Sequence, residues 1–253
     1  MLKNLRLEKI LSLLESKEYV SIHELMEITS SSESTIRADL VLLEKENKLI
    51  RLHGGAQSIK KPSSLNELDM NEKYLINVEE KTRIGKKAAS FIQDNSLIYI
   101  DAGTTTSYLC DYISTNGNII ITNSMTIAQK LTKQKYKVYV TGGELKLTTD
   151  AFVGTFPLET IKKFTFDIGF FGANGVSLTQ GYTTPDFEEA IIKETAISRC
   201  KKAYILCDSS KIDKESGVRF APFESATLIT NEITKKEYKK DKFKISEQIG
   251  KIE

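Results

Sequence analysis

No stretch of the chain approaches the roughly 18 consecutive apolar residues that a membrane-spanning helix needs, so the sequence excludes a transmembrane protein. A secretory signal is lacking too: Met1–Lys17 is amphipathic and charged, without an apolar core or a cleavage site. Cysteine is scarce, with Cys110, Cys200 and Cys207 the only three. Their spacing fits no metal-ligand pattern. An odd number in apolar surroundings reads as reduced core thiols of a cytoplasmic protein without a metal centre. No Gly-Lys-Ser/Thr follows a glycine turn, which disfavours nucleoside-triphosphate hydrolysis. Internal repeats and low-complexity tracts are missing. What is present is ordinary for a globular chain: 253 residues, enough for two domains, 40% hydrophobic, with a net charge of +2.

The stretch Ser30–Leu40 predicts the start of a short helix. Ile36, Leu40 and Leu43 fall at i, i+4 and i+7, one apolar stripe. Ser32 can cap the first turn, while Ser30 with Glu33 also spells a capping box, so the start lies at one or the other. The opposite face carries Ser34, Thr35, Arg37, Ala38 and Val41. Small polar groups and one Arg near a helix N-terminus suit a helix laid in a DNA major groove, where Arg37 can fork onto guanine or phosphate. They also suit an ordinary surface helix.

The flanks favour the groove. Leu2–Lys17 reads as a helix with Leu5, Ile10, Leu11 and Leu14 on one side. A second short helix follows, capped by Ser21 with Glu24 at its third position, and a Ser-rich turn separates it from the third. That is helix-turn-helix spacing. Leu49–Ile59 then reads as a strand, a Gly54-Gly55 turn and a second strand, a wing.

Residues 6–56 resemble the N-terminal domain of the DeoR family of bacterial transcription regulators. The resemblance rests on Arg6, Ile10, Leu14, Leu25, Ser32, Glu33, Thr35-Ile36-Arg37, Asp39-Leu40, Leu43, Glu44, Arg51 and His53-Gly54-Gly55-Ala56. It departs from the family at Ala38, where a second Arg is usual, at Ser31 (Val) and at Asn47 (Gly). The DNA contacts expected are Ser32, Ser34, Thr35, Arg37, Ala38, Arg51 and His53. The charge is unexpected for that role. Met1–Ala56 holds eight basic and nine acidic residues, without the basic footprint of a DNA binder. Binding must rest on how charges are placed, helped by Lys60, Lys61 and a second subunit, and a shallow salt dependence follows.

Gln57–Asn77 changes to polar, aperiodic sequence around Lys60-Lys61-Pro62-Ser63-Ser64, turning helical near Leu68. The expected division is a winged helix-turn-helix over 1–57, a linker over 58–77 and an effector and oligomerisation domain over 78–253. From Tyr74 onward, helices alternate with buried strands. Helices are expected at Glu80–Ile92, Thr104–Ile113, Met125–Leu131 and Glu188–Arg199. Strands are expected at Leu97–Asp101, Asn118–Thr122, Lys137–Thr141, Phe166–Gly172, Ala203–Asp208 and Ala226–Thr230. This predicts a mostly parallel α/β sheet covered on both faces.

Ligands bind such sheets at the carboxyl ends of the strands. One end is Asp101-Ala102-Gly103-Thr104-Thr105-Thr106, which reads as a phosphate cradle or as a plain helix cap. Others are Thr122-Asn123-Ser124, Thr141-Gly142-Gly143 and Gly172-Ala173-Asn174-Gly175. Gly181–Ala190 opens a helix in which Lys193 lies beside Glu189, either as a surface pair or with Asp186 and Lys193 facing a ligand. Asp208-Ser209-Ser210-Lys211 is either a turn or part of the pocket.

These stretches also resemble the DeoR effector domain, whose fold is that of ribose-5-phosphate isomerase, and most resemble the fructose-operon repressor branch. The resemblance implies a repressor of a sugar-utilisation operon, no cofactor, and a phosphorylated sugar such as fructose 1-phosphate as effector. Operator DNA and a homodimer or homotetramer are the implied partners. The effector residues expected are Asp101, Gly103, Thr104, Thr105, Thr106, Asn123, Ser124, Gly143, Gly172, Asn174, Asp186, Lys193, Asp208 and Lys211, with the basic Lys81–Lys87 region as a further contact or relay. The rival is a sugar-phosphate isomerase-like enzyme with an appended DNA-binding domain. Phe171 and Asn174 stand where that isomerase carries acids, and neither can take a proton; Asp101, Asp186 and Glu188 are the carboxylates that remain, and no catalytic residue is expected.

Overall fold

The structure, a computed structural model, describes residues 2–17, 19–46, 48–52, 54–58 and 70–231. The chain divides into two compact units, Met1–Ile76 and Asn77–Glu253.

The first unit holds α1 (Lys3–Ser16), β1 (Tyr19–Ser21), α2 (Ile22–Thr29), α3 (Glu33–Lys45), β2 (Leu49–Leu52), β3 (Gly55–Ser58) and α4 (Met70–Tyr74). Local sequence sets its helix ends. Ser21 accepts the Glu24 N–H at 3.1 Å and Ser32 accepts that of Thr35 at 3.4 Å, each cap contributing about 1 kcal/mol. Ser30 does not start α3; it closes α2 in a left-handed conformation with φ 49°. Ile10, Leu14, Leu25, Ile36, Leu40 and Leu43 form the core. Leu5, expected inside, is exposed. The sheet runs β1-β3-β2, all antiparallel. Its first strand is not apparent in the sequence: Tyr19–Ser21 joins the wing before α2 begins. Gly55 has no room for a side chain, since a Cβ there would stand 2.2 Å from the Val20 carbonyl oxygen. The helical turn expected near Leu68 and the residues Asn47, His53, Lys60 and Lys61 lie outside the described residues.

One buried ion pair joins the first and third helices. The Arg6 guanidinium donates through Nε and Nη2 to the two oxygens of Asp39, whose side chain is 3% exposed. Both residues carry the family resemblance, yet neither lies on the outer face of α3.

The second unit holds α5 (Val78–Ala89), β4 (Leu97–Ile100), α6 (Thr104–Leu109), β5 (Ile119–Thr122), α7 (Met125–Lys133), β6 (Lys137–Val140), β7 (Glu144–Lys146), β8 (Ala151–Val153), α8 (Thr155–Lys162), β9 (Ile168–Gly172), β10 (Gly175–Ser177), β11 (Gly181–Thr184), α9 (Phe187–Ser198), β12 (Ala203–Leu206), β13 (Val218–Ala221) and β14 (Thr227–Ile229). Six strands form one sheet in the order β14-β12-β9-β4-β5-β6, every pair parallel. Strand alternation sends Ile98 and Ile100 to one face and Tyr99 to the other, and each face closes its own apolar cluster. Cys110 and Cys207 are buried and Cys200 half-buried, all unbridged; burial pushes the thiols of Cys110 and Cys200 up to about 12, which disfavours the thiolate.

The parts not foreseen are short and pair over long distances. They are the β7–β8 hairpin, α8 and a second antiparallel sheet, β10-β11-β13. Gly181–Thr184, expected to open a helix, is a strand of that second sheet, and the helix starts at Phe187. The chain order of the parallel strands reverses between β4 and β9. From β4 it winds outward to β6; it then returns to β9 on the other side. In sheets of this kind ligands bind over the carboxyl ends of the two strands that flank such a reversal.

Candidate functional site

The outer face of α3 is open to solvent. Ser34, Arg37 and Ala38 are exposed and Thr35 is half-buried. The Ser32 hydroxyl lies 3.0 Å from that of Ser34 and 2.9 Å from that of Thr35, so the first turn is a linked patch of small donors. Arg37 is held from behind by Glu33, one turn earlier: Nε donates to Oε1 at 2.8 Å and Nη2 lies 2.7 Å from the same oxygen. Arg51, on β2, donates through Nε to Glu44 Oε2 at 3.3 Å. Both arginines stay about half exposed.

The chain reversal in the second unit carries the densest buried chemistry. Asp101 follows β4 and is 1% exposed. Its Oδ2 accepts the N–H of Gly172, at the end of β9, at 3.1 Å and is ion-paired with the Lys193 ammonium from α9. Lys193 is itself 3% exposed and lies 5.8 Å from the centre of the Phe220 ring. Burial pushes the Asp101 carboxyl upward; Lys193 and the N–H groups of Gly172 and Ala102 pull against it. Asn123, at the end of β5, accepts the Ala102 N–H at 2.9 Å and so ties the next strand end to this one.

Lys193 is thus no surface partner of its neighbour. Its counter-ion comes from 92 residues away. Glu189 is buried as well and turns to the β7–β8 hairpin, accepting from Thr149 Oγ1 at 2.6 Å and from Lys146 Nζ at 3.3 Å. Lys146 also donates to Asp186 at 2.6 Å. The other Asp186 oxygen accepts the Glu189 N–H at 2.9 Å and caps α9. Burial pulls the Lys146 ammonium down, but Asp186 and Glu189 outweigh it and leave it above the ordinary lysine value. Lys146 and Thr149 escape sequence reading because their partners are 40 residues off, and only the strand-turn pattern around Gly142-Gly143 pointed to their loop; Phe220 escapes it because Lys193 sits on a different element.

The remaining expected residues fall into local roles. Thr106 turns its hydroxyl back onto the carbonyls of Asp101 and Gly103, at 2.8 and 2.9 Å. Thr104 and Thr105 are buried beside it, and Gly103 has room for little more, a Cβ there meeting Thr106 Oγ1 at 3.1 Å. Ser124 caps α7 and donates to Asp150. Gly143, at φ 112°, lies so close to the Val153 carbonyl that a Cβ would stand 2.5 Å from it. Asn174 accepts from Thr184 Oγ1 at 3.3 Å. At the end of β12, Asp208 accepts from Asn77 Nδ2 and the Ser210 N–H, both at 3.0 Å, with Lys211 half-buried beside it. Lys81 is buried on the inner side of α5. Among the described residues no group of three or more His, Cys, Asp or Glu is placed to hold a metal ion, and no helix is long and apolar enough to cross a membrane.

Two family models match the chain, one after the other. Residues 6–62 match the DeoR-like helix-turn-helix domain, and residues 76–232 match the DeoR C-terminal sensor domain. A Bacillus subtilis relative named as an uncharacterized HTH-type transcriptional regulator, FruR, is 39% identical over 90% of this chain and 90% of its own. The lactose phosphotransferase system repressor of Streptococcus mutans is 33% identical over 91% of this chain and 93% of its own. Among solved structures, ribose 5-phosphate isomerase from Plasmodium falciparum aligns over 55% of this chain and 54% of its own, with a TM-score of 0.40 and 16% identity, a distant likeness of fold. With both domain models matched in order and relatives aligned nearly end to end, the chain belongs to the DeoR family of helix-turn-helix transcriptional regulators.

Proposed function

We propose that this regulator represses a sugar-utilisation operon and is released or retuned by a phosphorylated sugar, fructose 1-phosphate being the effector its sequence most resembles. The observation that carries the reading is the Asp101–Lys193 pair, buried at the strand-order reversal of a sheet attached to an exposed groove-reading helix. The head docks α3 in the major groove, with Ser32, Ser34, Thr35, Arg37 and Ala38 toward the bases and Arg51 reaching from β2; His53 is the remaining contact the resemblance implies. The sensor takes its ligand over Asp101, Gly103–Thr106, Asn123, Ser124, Gly143, Gly172, Asn174, Asp186, Lys193, Asp208 and Lys211. Carboxylates at this rim suit sugar hydroxyls. Lys146, with 27% of its side chain exposed, is better placed to meet a phosphate than the enclosed Lys193. The protein works in the cytoplasm as a homo-oligomer whose half-site spacing the effector shifts; moving the population from 1:99 to 99:1 takes about 5.5 kcal/mol of preference for one state.

Catalysis fits the site less well. Phe171 is fully buried and stacked 5.4 Å from Tyr99, Asn174 is an amide, and Asp101 is neutralised by Lys193. An aldose–ketose isomerase needs a free carboxylate at the substrate carbon. Turnover of any sugar phosphate by the purified protein would reverse this reading.

Thermal unfolding of the full chain against a panel of sugar phosphates tests the sensor. At 100 times its dissociation constant, fructose 1-phosphate adds about 2.7 kcal/mol, while fructose and inorganic phosphate add far less. Lys146→Ala removes most of that gain. No stabilisation by any phosphorylated sugar would sink the proposal.

A further inference from the structure

The acids of the reading head are where a DNA binder should not carry them, on and beside the helix that meets the phosphates. Two of them do one job. Glu33 holds Arg37 and Glu44 holds Arg51, and in both pairs the carboxylate takes the Nε side of the guanidinium. Glu44 further accepts the Arg51 backbone N–H at 3.3 Å. A guanidinium has two edges that can donate in parallel: the side edge, Nε with Nη2, and the end edge, Nη1 with Nη2. Glu33 Oε1 occupies the side edge of Arg37 at 2.8 and 2.7 Å. The end edge remains, turned away from Glu33, and it matches the O6 and N7 acceptors of guanine.

We propose that Glu33 is a specificity-determining positioning residue, which fixes Arg37 with its end edge outward and so selects guanine at one base pair of each half-site. The carboxylate lowers the rotamer freedom that a long Arg loses on binding and denies its side edge to a phosphate. It also repels the DNA backbone, so it costs affinity on every sequence while sharpening the choice among them. Two of the nine acids of the head are thereby accounted for. This inference rests on α3 being the groove-reading helix.

The two can be separated by selecting the full-length protein on a randomised duplex pool and sequencing the bound fraction, with binding to one scrambled duplex measured alongside. Arg37→Ala erases a guanine preference at one position; if it erases none, the docking of α3 is wrong. Given that loss, Glu33→Ala lowers the same preference by about threefold or more while binding the scrambled duplex as tightly as wild type or tighter. Glu33→Gln, which keeps an acceptor oxygen but no charge, holds the preference within about twofold of wild type. Were Glu33 only a helix-surface partner, Ala and Gln would tighten binding to all duplexes alike and leave the preference intact, and that result overturns the inference.

Discussion

Lys193→Met lowers the free energy of unfolding by about 3–5 kcal/mol, because it strands the Asp101 carboxylate without its counter-ion in a site closed to water. The double variant Lys193→Met with Asp101→Asn returns to within about 1 kcal/mol of wild type, since no charge is left buried and the amide oxygen can still accept the Gly172 N–H. The loss depends on pH with a definite sign. Burial holds the Asp101 carboxyl above its ordinary 3.8. Between the unfolded and folded values the folded chain binds more protons than the unfolded one, so this group's stability contribution is complete below 3.8 and declines as pH rises through the raised value. Lys193 opposes the upward shift. Its removal widens the window, and the deficit of the single variant grows as pH rises from about 4 into the neutral range. Urea unfolding across that range checks this; a deficit that does not vary with pH, or a double variant no better than the single, would show that the pair is not what holds the reversal closed.

Arg6→Ala has the next largest effect. It leaves Asp39 buried in the head without its two donors. A loss of about 3 kcal/mol is expected, the low end for a buried pair, because the Arg6 side chain keeps 11% of its exposure. Arg6→Lys restores only part of it, for an ammonium cannot reproduce the two-pronged contact. Arg6→Met with Asp39→Leu is nearly neutral in stability. Operator binding falls with Arg6→Ala though Arg6 lies off the outer face of α3, because α1 no longer fixes the tilt of that helix. If Arg6→Ala unfolds at the wild-type urea midpoint, the pair is a surface contact and the place of Arg6 and Asp39 in the family motif needs another explanation.

Much of the head was legible because its determinants are local. A serine capping a helix three residues on, and apolar residues three and four apart, meet within a turn or two. Ser21, Ser32, Ile36, Leu40 and Leu43 all behave so. The parallel strands could be read for a related reason: a strand buried on both faces must be largely apolar, as Leu97–Ile100 and residues 119–121 are. The candidate site was legible only as a list of strand ends. Local reasoning left Lys193 either paired with Glu189, its neighbour one turn away, or facing a ligand together with Asp186; the fold gives Lys193 to Asp101 and commits Asp186 to Lys146 and the cap of α9.

Sequence alone determined the helices of the head, the order of the parallel strands along the chain and, through its motifs, the family, since periodicity and capping act within a few residues. Tertiary structure decided which charges meet. An ion pair buried between β4 and α9 depends on the return of the chain to the far side of the sheet, and no local pattern encodes that return. The same holds for the hairpin that brings Lys146 and Thr149 to α9: three-residue strands bury too little to announce themselves, and only the assembled sheet gives them a surface to pack on.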